Sequence, residues 1–244
     1  MKLLALPYLV WMVGFIVIPL LLVCFYGFTD RSGSFTLENI AEILVRENYR
    51  PLCLALLLSA VSTAICFLAA FPLALILRSR KIGRGSFAAF LFILPMWMNS
   101  LLRVLAWQTL LERKGVLNGI LAALHLPGQR LINTPYAIIL GMVYDFLPFM
   151  ILPIYNTLSK IDDNTINAAY DLGATQVQML KEIMLPYLTP AIIAGYFMAF
   201  TYSLDDFAVT FFVTGNGFTT LSVEIYSRAR QGISLNINAL SALV

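Results

Sequence analysis

Charge is scarce in this sequence: only 12% of its 244 residues are Asp, Glu, Lys or Arg, while 60% are hydrophobic. That balance excludes a water-soluble core and places the chain among integral membrane proteins. Histidine occurs once, as His125, and HExxH and GxSxG are absent, so neither a zinc-hydrolase nor a serine-hydrolase constellation can be assembled. A GxxxxGK(S/T) phosphate loop is missing too, so any nucleoside triphosphate that drives this chain is bound by another one. Cys24, Cys53 and Cys66 lie in apolar runs without CxxC spacing, which fits buried small residues better than a disulfide framework or a metal site. The net charge of +3 is small and its basic residues sit between apolar blocks, a lipid-headgroup bias rather than a nucleic-acid surface.

Long apolar runs are what the sequence does have. A helix needs about 20 apolar residues to cross the hydrocarbon layer, and five segments reach that length: 5–28, 52–77, 86–111, 135–158 and 190–213. A sixth begins near Asn236 and stops at Val244, too short to span. The runs are rich in Leu and Ala and show no period-2 alternation, which argues against a β-barrel. The first run is too long for a signal-peptide core and lacks a small-residue cleavage site, so it reads as a retained span. The expected fold is an all-α integral membrane protein, residues 1–244 forming a single transmembrane domain of six helices, the last incomplete in this chain.

Basic residues in short loops mark the cytoplasmic side. Arg78, Arg80, Lys81 and Arg84 crowd the connection between the second and third spans. Alternation then puts the N-terminus and the 159–189 loop inside as well. Arg31, Arg46, Arg50, Arg113, Lys114 and Arg130 fall outside, spread over longer loops.

The 159–189 loop has helical periodicity of its own: Ile161, Ile166 and Ala169 precede Gly173, and Val177, Leu180, Ile183 and Met184 follow it. Two short helices meeting at Gly173 are expected, because glycine takes the positive φ that ends a helix. Pro186 and Pro190 mark the start of the fifth span.

Asn167-Ala168-Ala169, three residues, Gly173, nine residues, Ile183, one residue, Leu185-Pro186 resembles the EAA loop of ABC-importer permeases, with Asn167 where that pattern has Glu. Two further runs narrow the likeness. LPMWMNSLLRVLAWQTLLERKGVLN, from Leu94, is similar to the third-helix region of PotB-type permeases of spermidine/putrescine importers, whereas SLDDFAVTFFVTG, from Ser203, resembles the PotC-type partner. The resemblance implies a permease subunit of an ATP-driven importer in a bacterial inner membrane. It implies a second permease subunit, a dimer of ATPase subunits holding ATP and Mg²⁺, and an extracytoplasmic binding protein as partners, with no cofactor, catalysis or metal in this chain. In such permeases the loop docks on the ATPase, so Asn167, Ala168, Ala169, Gly173, Ile183, Leu185 and Pro186 become the expected coupling residues. The rival reading is an importer permease for another solute, such as ferric ion or thiamine.

Four ionisable residues fall inside spans: Arg103, Asp145, Asp205 and Asp206. At membrane depth each costs about 2.5–3.5 kcal/mol or more and pairs or faces a polar pathway. With a rise of about 1.5 Å per residue, all four lie about 11–14 Å below the outer boundary. Three carboxylates against one guanidinium leave an acidic excess that suits a cation and repels anions. Adjacent residues on a continuous helix diverge by about 100°, so Asp205 and Asp206 cannot share one direction. Tyr202 is placed to donate its hydroxyl to either. Aromatic faces attract alkylammonium groups, and Trp107, Tyr144 and Trp97 accompany the layer. The expected substrate pathway is Asp145, Asp205, Asp206, Tyr144, Tyr202, Trp97 and Trp107, with an ion pair between Arg103 and one carboxylate as the structural alternative.

Overall fold

The computed structural model describes residues 6–30, 32–43, 46–79, 87–214, 219–231 and 238–241. Arg80, Lys81 and Arg84 of the basic connection lie outside them, as does most of the expected sixth helix. The described residues divide into two compact units, residues 1–54 with 219–244, and residues 55–218.

In the first unit, α1 (Leu6–Gly27) is long and apolar enough to cross a membrane and buries none of its most apolar window. A π-helical turn over Val13–Val17 ends two residues before Pro19. Asn39, in α2 (Glu38–Ile43), donates to the carbonyls of Gly27 (3.2 Å) and Thr29 (3.0 Å), pairing the chain that leaves α1.

The second unit is built on three membrane-length helices: α3 (Arg46–Ser79), α7 (Pro135–Leu158) and α9 (Gln176–Leu204). Between helices in lipid the hydrophobic effect offers little, so close packing and hydrogen bonds must hold them. Accordingly α3 buries a stripe of small residues, Ala55, Ser59, Ser62, Thr63, Cys66, Ala70 and Ala74. On α9 the buried stripe is Leu188, Ala191, Gly195, Ala199 and Ser203. At Gly195 a Cβ would stand 3.2 Å from the Met150 carbonyl oxygen, so the absence of a side chain sets the α7–α9 approach. Hydroxyls join the three helices: Ser62 and Ser203 share a 2.8 Å hydrogen bond, and Ser203 also donates to the Met142 sulfur at 3.2 Å.

Two expected spans are discontinuous. The third divides into α4 (Phe87–Trp97) and α5 (Ser100–Leu111). Asn99 takes an extended conformation and its side-chain oxygen accepts from the amides of Leu101 (2.9 Å) and Leu102 (3.4 Å), a helix N-cap within the expected span. The fifth divides into α9 and α10 (Ala208–Thr214), with Asp205–Phe207 between them. The helix that carries it starts before both prolines. α9 runs from Gln176 through a π-helical turn over Met179–Met184, and Pro186 stands in the first turn of the α-helical stretch Leu185–Leu204, where a missing amide costs no hydrogen bond.

Candidate functional site in the broken membrane helices

Both helix breaks bear on the intramembrane charges. Arg103 lies one turn into α5 and reaches back across the Asn99 break, donating from Nη1 to the Pro95 carbonyl at 2.6 Å. That carbonyl belongs to the last turn of α4, where intrahelical donors have run out. The same guanidinium places Nε 2.8 Å from Asp145 Oδ1, with Asp145 buried and Arg103 largely shielded. The contact is an ion pair whose direction lies off the hydrogen-bond axis. Asp145 is therefore neutralised by Arg103, the alternative the sequence left open.

Asp205 and Asp206 do not sit on a continuous helix, so the 100° relation does not apply to them. Asp205 is the C-cap residue of α9 and is exposed. Asp206 turns its Oδ2 onto the amides of Val209 (2.9 Å) and Thr210 (3.4 Å) and so starts α10. It is half-buried, within electrostatic range of both Asp145 and Asp205. Two adjacent carboxylates thus have two jobs: one holds a backbone and the other is open.

Aromatic rings wall this region. Trp107 meets Tyr144 edge-on at 5.2 Å, and Phe207 stacks on Phe211 at 4.9 Å. Tyr202 contributes a ring rather than a hydroxyl: it packs on Phe149 at 4.5 Å and on Phe146 at 6.3 Å. Trp97, at the end of α4, is 77% exposed. Gly141 shows how tightly α10 lies on α7, since a Cβ there would come within 2.6 Å of Val209. The sequence reading missed Asn99, the Pro95 carbonyl and Phe149. The Asn-Ser pair four residues after a proline was the available signal for the break.

Residues 3–243 match the family of binding-protein-dependent transport system inner membrane components. The chain belongs to that family. It is 34% identical to the spermidine/putrescine transport system permease protein PotB of Haemophilus influenzae over 207 residues, which is 82% of this chain and 72% of that one. The Escherichia coli K12 protein of the same name is 32% identical over 208 residues, 82% and 76% of the two chains. PotC of that strain is 28% identical over 218 residues, 89% and 75%. Among solved structures, a chain in the crystal structure of a bacterial ABC transporter for import of the acidic polysaccharide alginate superposes with a TM-score of 0.75 at 18% identity, covering 99% of this chain and 87% of that one. A bacterial alginate ABC transporter in complex with an alginate pentasaccharide-bound periplasmic protein gives the same score, and both show a shared fold. This permease is an inner-membrane transport component, not an enzyme in its own right.

At one end of the permease's core, the 159–178 connection forms α8 (Asp163–Asp171), a turn, and the first residues of α9. Gly173 has φ +82°. Its amide bonds the Tyr170 carbonyl, and the Ala174 amide bonds that of Ala169, the paired pattern that closes a helix around a left-handed residue. Thr175 then opens α9 with a reciprocal cap: its hydroxyl accepts from the Gln178 amide (3.3 Å), and its own amide donates to the Gln178 side chain (2.9 Å). Asn167 and Ala168 are exposed and Ala169 is buried, while Ile183 and Leu185 are half-buried and Pro186 exposed. Leu172, beside Gly173, is 89% exposed, an apolar tip the sequence reading passed over.

Proposed function

We propose that this permease carries polyamines through the site around Arg103 in an ATP-driven importer. The juxtaposition that carries the reading is Asp206 within electrostatic range of both Asp145, the partner of Arg103, and Asp205, with the Trp107–Tyr144 and Phe207–Phe211 ring pairs on the same segments. Once Arg103 has neutralised Asp145, Asp205 and Asp206 remain as acidic excess, and Asp205 is the open one. Alkylammonium groups gain about 0.5–2 kcal/mol over an aromatic face, and the same rings suit the methylene spacers between them. The fold alone does not choose the sign of the solute, since a chain of this fold serves an acidic polysaccharide. The relatives named for spermidine and putrescine favour the polycation over ferric ion or thiamine. Affinity in the layer must be weak, since a site that binds tightly does not release.

The 159–189 loop, with its fixed turn at Gly173 and the apolar tip Leu172, is the docking element for an ATPase subunit that holds ATP and Mg²⁺. This places the loop and the N-terminus in the cytoplasm, and the Asp205 side toward the extracytoplasmic binding protein. A second permease subunit completes the pathway. The test is putrescine uptake by complexes reconstituted in vesicles with Asp205→Asn or Asp206→Asn: a marked loss with either is expected, and unchanged uptake with both removes the acidic layer from the pathway. Asparagine keeps the capping oxygen at 206, so the charge alone is tested.

A further inference from the structure

Arg78 is the second point at which a single guanidinium gathers several elements. It lies in the last turn of α3, and its side chain is only 14% exposed. Nη1 donates to the Leu158 carbonyl, the last residue of α7, and Nη2 to the Ile161 carbonyl at 2.9 Å. The Leu158 carbonyl is one that the end of a helix leaves without an intrahelical donor, and the Ile161 carbonyl belongs to the connection that follows. Nη2 also stands 3.5 Å from the carboxylate of Asp163, the first residue of α8. One side chain of α3 therefore holds the end of α7, the connection after it and the start of α8. A planar guanidinium can serve diverging acceptors in this way, whereas an ammonium is a single point charge.

What lies beside Arg78 makes this contact matter. A cavity of about 1180 Å³ is lined by Leu75, Tyr155, Asn167, Tyr170 and Met179 with Arg78 itself, so the end of α3, α8 and the π-helical turn of α9 all face it. The apolar core that α3, α7 and α8 share through Ala74, Leu158 and Ala169 continues beside this cavity, and Arg78 adds the polar tie at its edge. We infer that Arg78 is a positioning residue that transmits displacement of α8 to the membrane helices α3 and α7, so that nucleotide-driven motion of the 159–189 loop is converted into transport through this guanidinium. The inference rests on the reading of that loop as the ATPase docking element.

The experiment uses the whole complex, with both permease subunits, the ATPase pair and the binding protein, in vesicles. Putrescine uptake and ATP hydrolysis are measured on the same preparation and expressed as a ratio. Arg78→Gln is expected to lower the ratio by about five-fold or more, the usual lower range of coupling between sites, while hydrolysis continues. Arg78→Lys is expected to fall between it and the wild type. A purely structural role would reduce assembled complex, uptake and hydrolysis in proportion, leaving the ratio fixed, and that overturns the inference. Should Arg78→Gln fail to assemble, Asp163→Asn decides: its side chain is 53% exposed, so folding is spared. A ratio reduced by about two-fold, as for loss of a partly exposed ion pair, supports the inference, and an unchanged ratio overturns it. Absence of ATP-driven uptake in the wild-type complex would sink the docking reading and the inference together, whereas wild-type coupling retained by the variants sinks the inference alone.

Discussion

Arg103 and Arg78 do similar work in different surroundings. Each binds backbone carbonyls near a helix end and a carboxylate on another helix: Pro95 and Asp145 for the first, Leu158, Ile161 and Asp163 for the second. The guanidinium side chains are equally shielded, at 13% and 14% exposure, but their carboxylates are not, at 5% for Asp145 and 53% for Asp163. Burial of the acid decides what breaking the pair does. Removing the arginine beside Asp145 strands a charge with no water to receive it, whereas Asp163 regains water. The first pair is thus committed to holding the membrane bundle together, and the second can move without endangering the fold.

The largest effect tests that difference directly. Arg103→Leu is expected to destabilise the permease by about 3–5 kcal/mol, as for one partner removed from a buried pair. Thermal unfolding of the detergent-solubilised complex would show it as a large fall in Tm. Arg103→Leu combined with Asp145→Leu is expected to recover most of the loss, because no buried charge then lacks a partner. Equal destabilisation by the single and double variants would mean that Arg103 acts mainly through the Pro95 carbonyl.

The sequence made the two regions unequally legible. Gly173, Thr175 and Gln178 are local signals: a positive-φ residue and a reciprocal cap are decided by neighbours within a few positions, and the helix pair around them follows from periodicity. The membrane helices were legible as apolar lengths, and their interruptions were not. Hydropathy sums over a window, and the polar residues that break α4 from α5 and α9 from α10 are too few to lower it. Asn99 and Asp206 look like costs inside a span until their side chains are seen satisfying the amides of a new helix start. The choice of Asp145 as the partner of Arg103 could not be read at all, because it depends on how α5 packs against α7. The course of α9 back to Gln176 was not legible for a related reason: a π-helical turn before Pro186 leaves no mark in the hydropathy.

Gly173→Val comes next in expected size. Nothing lies within 4 Å of a Cβ at this position, so the substitution meets no steric obstacle and acts only through φ, which stands at +82°. A left-handed conformation costs an L-residue about 1–2 kcal/mol, with β-branched residues at the high end. The turn between α8 and α9 is expected to rearrange rather than bear that strain. Uptake per ATP should fall while the Tm of the membrane bundle stays close to wild type. A Tm loss as large as that of Arg103→Leu would make the turn part of the bundle's stability, and the two regions would then not differ.

The smallest effect is the sharpest discriminator within the acidic layer. Asp206→Ala removes the cap of α10 and is expected to cost about 1 kcal/mol, whereas Asp206→Asn keeps the acceptor and should be nearly neutral in Tm. Asp205→Asn should not move Tm at all, since its exposed carboxylate holds no backbone amide among the described residues. If uptake then follows charge, both Asn variants lose transport while only the Ala variant loses stability. If uptake follows the cap, Asp206→Asn transports like wild type and Asp206→Ala does not, so the break in the fifth helix matters for its shape and Asp205 alone carries the charge that a polycation would meet.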